Sequence, residues 1–250
     1  MNSVIIIPAR YASTRLPQKL LLNQTGKTLI QHTYEAASKA ALPESVTVAC
    51  DHPAIYDAVK SFGGSVVMTD PNARSGTDRI AEVAAQLDAD IIVNVQGDEP
   101  EISGAAIDTA VRILIDNPSA VMSTLAAPIR SRQYLEDPSC VKAVFDSSGK
   151  ALYFSRSVIP HPRGGITEEH LTREPPLFYQ HIGLYAYRRE FLLHLSQLPP
   201  SALEQTESLE QLRVLHHGCG IQVAVIAEAA AGIDTAEDYN RFVKRNRLTT

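Results

Sequence analysis

The sequence predicts an α/β fold, a doubly wound sandwich on a mainly parallel sheet with helices on both faces. Three observations point there. Over residues 1–120 short apolar runs alternate with segments whose apolar residues recur at helical spacing. Those runs are apolar throughout rather than at every second residue, as in strands buried on both faces. From about residue 120 the rhythm changes to paired strand-like runs, which makes the sheet mixed and adds a strand-rich elaboration over about 120–190. A chain of 250 residues buries a substantial core, and with no linker and no internal repeat a single domain, 1–250, is expected.

The elements follow in order. "VIIIP" is a first strand, and residues 28–41 place Leu29, Ile30, Thr33, Tyr34, Ala37 and Ala41 on one helical face. "VTVAC" is a second strand; Pro53 suits the first turn of the next helix, with Ile55, Val59 and Phe62 as its stripe. "SVVMT" is a third strand, before a helix at whose start Ser75 and Asp78 have capping-box spacing. "DIIVNVQ" is a fourth, after which Ser103 offers an N-cap to a helix faced by Ile107, Ala110, Val111 and Leu114. "VMSTLAA", "VKAVF", "ALYFS" and "HIGLYAY" read as paired strands, with the turn "DSSGK" between the middle two, around a polar, proline-rich stretch at 160–176. A helix at 206–216, the strand "IQVAVIA" and a helix at 236–247 close the chain.

Hydrophobic residues at 44% and charged ones at 20% are ordinary globular values. No apolar run approaches the ~20 residues of a bilayer span, and the N-terminus lacks a secretory pattern, so a cytoplasmic protein without membrane insertion is expected. A net charge of −5 gives no field to gather nucleic acid, so an anionic ligand needs a local cluster of cations. Cys50, Cys140 and Cys219 are odd in number and far apart, as reduced thiols are. "HHGCG" lacks a fourth ligand at zinc spacing and reads as a surface turn.

In open α/β sheets ligands sit beyond the carboxyl ends of the strands. Neither G-x-G-x-x-G after the first strand nor G-x-x-x-x-G-K-[ST] is present. The first loop instead supplies Arg10, Arg15 and Lys19, with Ala9, Ala12 and Ser13 letting backbone N–H groups approach an anion. That suits a triphosphate, and a solvated basic loop equally. "QGDEP" crowds Asp98, Glu99 and Glu101 at the fourth strand's end, where carboxylates hold Mg²⁺ or merely form an acidic turn closed by Pro100. Asp234 follows the last strand, as a second carboxylate for that site or as the start of a helix whose Thr235 and Asp238 have capping-box spacing. Near residue 210, Leu209, Leu212 and Leu215 form a core stripe, while Glu207, Glu210 and Gln211 share another face, ordinarily a solvated one.

Seven strings in register, "IIIPARYASTRLPQK", "RSGTDR", "VNVQGDEP", "ALYFSR", "HIGLYAY", "LEQLRVL" and "GIDTAED", span nearly the whole chain and closely resemble the 3-deoxy-manno-octulosonate cytidylyltransferases. The resemblance implies a Rossmann-like nucleotidyltransferase sandwich whose elaboration supplies the sugar site and dimer contacts. It implies transfer of CMP from CTP to the anomeric hydroxyl of the acid sugar 3-deoxy-manno-octulosonate (Kdo), releasing pyrophosphate, with Mg²⁺, in a homodimer serving lipopolysaccharide synthesis. The family's phosphate signature falls on Arg10, Arg15 and Lys19, its nucleotide-contacting residues on Ser75, Gly76, Thr77, Gln96, Gly97 and Asp98, and its metal-binding aspartates on Asp98 and Asp234. Ala9 and Ser13 line the nucleotide loop. The sugar-binding signature falls on Arg156, His181, Tyr185, Glu210 and Gln211. Three places depart from the family pattern: Gln18-Lys19-Leu20 stands for Gly-Lys-Pro, "EAAAGID" for a glycine- and proline-containing approach to the last aspartate, and "IPHPRGG" for aromatic and acidic residues after "FSR". The implied mechanism needs no Ser-His-Asp or cysteine nucleophile, and a metal-bound alkoxide makes His181 unnecessary as a base. The alternatives are CMP activation of a related acid sugar, 8-amino-Kdo or a sialic acid, and non-catalytic CTP binding.

Overall fold

The computed structural model describes residues 1–247. Strand β1 (Ser3–Ala9) leads through α1 (Leu29–Ala37) to β2 (Ser45–Cys50), then through α2 (Pro53–Ser61) to β3 (Val66–Met68) and through α3 (Gly76–Ala84) to β4 (Ile91–Asn94). These four strands are mutually parallel in the order β3-β2-β1-β4. In β1, Ile5 and Ile7 pack into one core and Ile6 into the core on the opposite face, which is why the run is apolar throughout. Pro53 opens α2, and Ser75 Oγ accepts the Asp78 N–H at 3.1 Å at the start of α3, whereas Ser103 precedes the helix after β4 without a side-chain cap hydrogen bond among the described residues.

Helix α4 (Gly104–Asp116) leads to β5 (Met122–Pro128), then come α5 (Arg132–Glu136), the hairpin β6 (Lys142–Phe145) and β7 (Ala151–Ser155), and α6 (Glu168–Thr172). The long β8 (Tyr179–Arg188), α7 (Arg189–Gln197), α8 (Ala202–Glu207), α9 (Gln211–His216), β9 (Ile221–Val225) and α10 (Ala236–Arg247) complete the described chain. β8 runs antiparallel between β4 and β5, β9 adds parallel to β5, and the β6–β7 hairpin pairs onto β8. The sheet is therefore mixed, and the elaboration is continuous with it. No described helix is long and apolar enough to cross a membrane.

Two expected helices differ from what periodicity suggests. α1 stops at Ala37, and Ala41 is exposed, because the Asp108 carboxylate on α4 accepts the N–H groups of Ala41 (3.0 Å) and Leu42 (2.8 Å) and draws the chain out of the helix. The helix expected at 206–216 is two helices, broken at Ser208, whose backbone is left-handed (φ 53°). Glu207 thus faces a different direction from Glu210 and Gln211. Of the elements that sequence reasoning did not identify, α7 is the longest; it buries Phe191, Leu192 and Leu195.

Candidate active site

The carboxyl ends of β1 and β4 and the loop before α10 meet around four charged side chains. After Ala9 the first loop is tied down twice: the Tyr11 N–H donates to Asp51 Oδ1 (2.9 Å), and the Tyr11 ring stacks on His52 at 3.8 Å. Asp51 is held in turn by the fully buried guanidinium of Arg79 (3.2 Å), which also donates to Thr69 Oγ1. Arg10 donates to the Ala73 carbonyl at 3.2 Å, and Ser13 is half-buried in the loop. At the loop's far end Gln18 is left-handed (φ 54°), and a 3-10 turn at Lys19–Leu21 buries Leu20.

That turn delivers the Lys19 ammonium between two carboxylates. It ion-pairs with Asp98 Oδ2 and with Asp234 Oδ1 (3.1 Å), and donates to the Ile233 carbonyl at 3.1 Å. Arg15 reaches the same Asp234 oxygen at 2.9 Å, and the Ile233 N–H donates to the Asp98 carbonyl at 2.9 Å, joining the two acidic turns through their backbones. Gly97 permits this approach: a Cβ there would sit 3.1 Å from the Pro8 carbonyl oxygen. Burial alone would lower the Lys19 pKa, but the Asp98 and Asp234 charges outweigh it and the pKa is raised. Glu99 shows the opposite environment: burial first, then the charges of Asp98 and Asp234, push its carboxyl up to about 8.

The helix-cap role of Asp234 is taken by its neighbours. Thr235 Oγ1 accepts the Asp238 N–H at 3.2 Å and Asp238 Oδ2 accepts the Thr235 N–H at 2.9 Å, a complete capping box on α10. The Asp234 side chain is left to the cations. Asp98 Oδ2 and Asp234 Oδ1 converge on one ammonium, so the same pair suits Mg²⁺, which takes one or two carboxylates and completes its shell with phosphate oxygens and water. Among the described residues no group of three His, Cys, Asp or Glu side chains gathers around a cation position, and Mg²⁺ does not require one. Glu101 is engaged elsewhere, with Arg245 at 2.6 Å.

The second half of the site joins α3, β8 and α9. At the α3 N-terminus, beside Ser75 and Gly76, Thr77 Oγ1 donates to Glu210 Oε2 at 2.5 Å, so a residue of the nucleotide set is bonded to one of the sugar set. The Tyr185 hydroxyl donates to Gln211 Oε1 (3.2 Å), and Gln96, at the end of β4, reaches Asn94 at 3.4 Å. His181 packs 5.4 Å from the Tyr185 ring, centroid to centroid, with Nε2 2.9 Å from Thr124 Oγ1. The single Thr124 hydroxyl proton goes to the carbonyls of Leu184 (2.8 Å) and Ile182 (3.1 Å), so Nε2 carries the imidazole proton and Nδ1 faces the Gln211 amide at 3.5 Å. Burial pushes the His181 pKa down to about 3, so the ring is neutral.

Arg156 is bonded to the segment just before Glu210 and Gln211. Its guanidinium donates to the carbonyls of Glu207 (2.7 Å), Pro138 (3.0 Å) and Ser208 (3.4 Å), while Glu207 accepts from Ser155 Oγ (2.6 Å) and the Arg156 N–H (2.9 Å). It fixes the break between α8 and α9, and so the direction of Glu210 and Gln211. A buried ion pair does the same from the other side: Arg213 on α9 meets Glu204 on α8 at 2.5 Å. Sequence reasoning missed Arg79, Asp51, Thr124 and this pair; the only local trace was the Ser201–Glu204 capping-box spacing, which the structure forms.

The sequence profile of the family described as "Cytidylyltransferase" matches residues 4–223. A protein of Rhodopirellula baltica named 3-deoxy-manno-octulosonate cytidylyltransferase is 52% identical over 246 residues, with 98% of each chain covered. One of the same name from Geobacter sulfurreducens is 46% identical over 248 residues, covering 98% of this chain and 99% of its own. A solved structure of CMP:2-keto-3-deoxy-manno-octonic acid synthetase complexed with CTP superposes over the whole of both chains with a TM-score of 0.92 at 42% identity.

Proposed function

The chain belongs to the cytidylyltransferase family, and from that premise we propose that it transfers CMP from CTP to the anomeric hydroxyl of Kdo and releases pyrophosphate. The observation that supports this best is the convergence of two strand-end aspartates on one cation, with Arg15 on the same carboxylate and Arg10 at the other end of the loop. The sugar oxygen forms a bond to the α-phosphorus, the bond from that phosphorus to the bridging oxygen of the β-phosphate breaks, and the hydroxyl proton leaves to solvent. Arg10, Arg15 and Lys19 neutralise the β- and γ-phosphates, where charge gathers as pyrophosphate departs. Lys19 accordingly exchanges its carboxylate partners for phosphate oxygens. Asp98 and Asp234 would hold Mg²⁺, which when bound would neutralise phosphate charge and lower the pKa of the attacking hydroxyl.

Thr77, with Ser75, Gly76 and Gln96, belongs to the nucleotide side, and Glu210, Gln211, Tyr185 and His181 read the sugar. His181 orients as a neutral donor and acceptor rather than abstracting the proton, since both nitrogens are engaged and its pKa is low. Arg156 steadies the α8–α9 break and has two further guanidinium donors for the sugar or its carboxylate. We further propose a cytoplasmic homodimer supplying lipopolysaccharide synthesis. The dimer reading is supported by β7, which among the described residues pairs only with β6 and leaves Leu152 61% exposed.

The test is pyrophosphate release from CTP and Mg²⁺ with a panel of Kdo, 8-amino-Kdo and sialic acid. Release that requires both Kdo and Mg²⁺ is expected. Stronger release with another acid sugar overturns the sugar assignment, and CTP binding without release from any of them makes the chain a CTP-binding protein.

A further inference from the structure

One acidic side chain at the seam between the two halves has no role so far. Glu99 follows Asp98 in the turn after β4, and its Oε2 is sealed from solvent without a hydrogen-bond partner among the described residues. A buried carboxyl oxygen is ordinarily paired, so an unpaired one beside a ligand site marks a place where a ligand completes the bonding. Oε1 lies 3.6 Å from the position a Cβ would take on Gly183.

Gly183 sits between His181 and Tyr185 on β8, where the ladder slips: Leu125 of β5 faces Ile182 and Thr124 faces Tyr185, leaving Gly183 and Leu184 bulged. Bulges beside sites re-aim side chains and open space. The backbone of Gly183 is not left-handed, so glycine is not required there for conformation. Packing does not require it either, since a Cβ would meet only Glu99 Oε1 and, at 3.9 Å, Gln96 Cγ. What the glycine provides is a small notch in front of Glu99 Oε1 and Gln96, on the strand between His181 and Tyr185.

We propose that this notch is a hydroxyl-binding subsite for the acid sugar, in which Glu99 hydrogen-bonds a sugar hydroxyl and Gly183 leaves the room for it. The inference rests on the function proposed above. A metal-ligand role for Glu99 is distinguished from this one by the Mg²⁺ half-saturation measured below.

Gly183→Ala and Glu99→Gln test it. Kd for Kdo is measured by calorimetry with CTP present and Mg²⁺ withheld, so that nothing turns over; Kd for CTP and the Mg²⁺ concentration at half-maximal pyrophosphate release are measured beside it. Each variant is expected to weaken Kdo binding about tenfold, the scale of one lost hydrogen bond at a buried site, with CTP affinity and Mg²⁺ half-saturation within about twofold of parental. The steric variant is expected to melt like the parent. Kdo binding within twofold of parental in both variants overturns the subsite, and so does a Glu99→Gln defect that appears in Mg²⁺ half-saturation instead. A parent that turns over Kdo beside variants that bind it normally overturns the notch alone, whereas a parent that neither binds nor uses Kdo overturns the site reading and the notch together.

Discussion

Asp234→Asn separates structure from chemistry at one position. The capping of α10 is carried by Thr235 and Asp238, so the amide removes no cap. It weakens two ion pairs. Arg15 is 64% exposed and Asp234 46%, so after discounting for solvent that pair is worth about 0–1 kcal/mol. Lys19 keeps Asp98, and the repulsion between the two aspartates is relieved, which offsets part of the loss. The net change is on the order of 1 kcal/mol or less, which for a chain of this length moves the melting temperature by about 2–4 °C. CMP transfer, by contrast, loses a Mg²⁺ ligand and should fall by roughly a hundredfold or more, the scale of removing one charge-stabilising group from a transition state. Scanning fluorimetry and pyrophosphate release against Mg²⁺ concentration measure the two effects, and a raised Mg²⁺ requirement is expected. The converse variant, Thr235→Ala, removes the cap and should destabilise by about 1 kcal/mol while leaving transfer near parental. If Asp234→Asn melts far earlier yet transfers CMP normally while folded, the side chain is a structural element of the helix start and the metal assignment is wrong.

Arg15→Ala should lower kcat/KM by about 10²–10³-fold and Arg15→Lys should restore only part of it, because a point charge does not reproduce a bidentate fork; a lysine variant equal to the parent sinks the bidentate role. Gln18→Gly should be nearly neutral, since relief of about 1 kcal/mol of left-handed strain is matched by the entropy glycine adds to the unfolded chain, whereas the β-branched Gln18→Val should melt clearly earlier; equal melting of the two would contradict the φ of 54°. The His181 imidazole resonances should show no titration between pH 5 and 8, and a midpoint near 6.5 would refute its burial. For stability, the unfolded chain takes up a proton at this position below about pH 6.5 and the folded one does not until about 3, so stability falls as pH drops through that window, and His181→Gln should blunt the fall.

How much of this was legible in the sequence depends on whether the controlling partner is local. β1, β2 and β4 are buried on both faces, and their unbroken apolar runs say so. The caps on α3 and α10 use residues three apart, which spacing reveals. The end of α1 was not legible, because Ala41 fits the helical period and the acceptor that pulls it out, Asp108, is 67 residues away. The break at Ser208 is likewise made from a distance, by Arg156 on its carbonyl and by the Glu204–Arg213 pair across it. The carbonyl contacts of Arg156 were not legible either: a motif records that an arginine is present, and only the fold shows that three of its five donors go to the backbone of Glu207, Pro138 and Ser208.

Among the described residues two non-glycines have left-handed backbone, Gln18 and Ser208, one residue before Lys19 and two before Glu210. Each conformation is disfavoured by roughly 1 kcal/mol or more and is kept only because the surroundings over-determine it. At Gln18 the surroundings are the 3-10 turn and the Lys19 ion pairs; at Ser208 they are Arg156 and the Glu204–Arg213 pair. The strain on the first loop therefore sets where a cation meets Asp98 and Asp234, and the strain between α8 and α9 sets where Glu210 meets Thr77. Since Thr77 at the start of α3 is bonded to Glu210, loss of the α8–α9 break would move both together. If Thr77 lies on the nucleotide side and Glu210 on the sugar side, as proposed above, a change at Ser208 should weaken CTP as well as Kdo, whereas a change at Gly183 should reach Kdo alone.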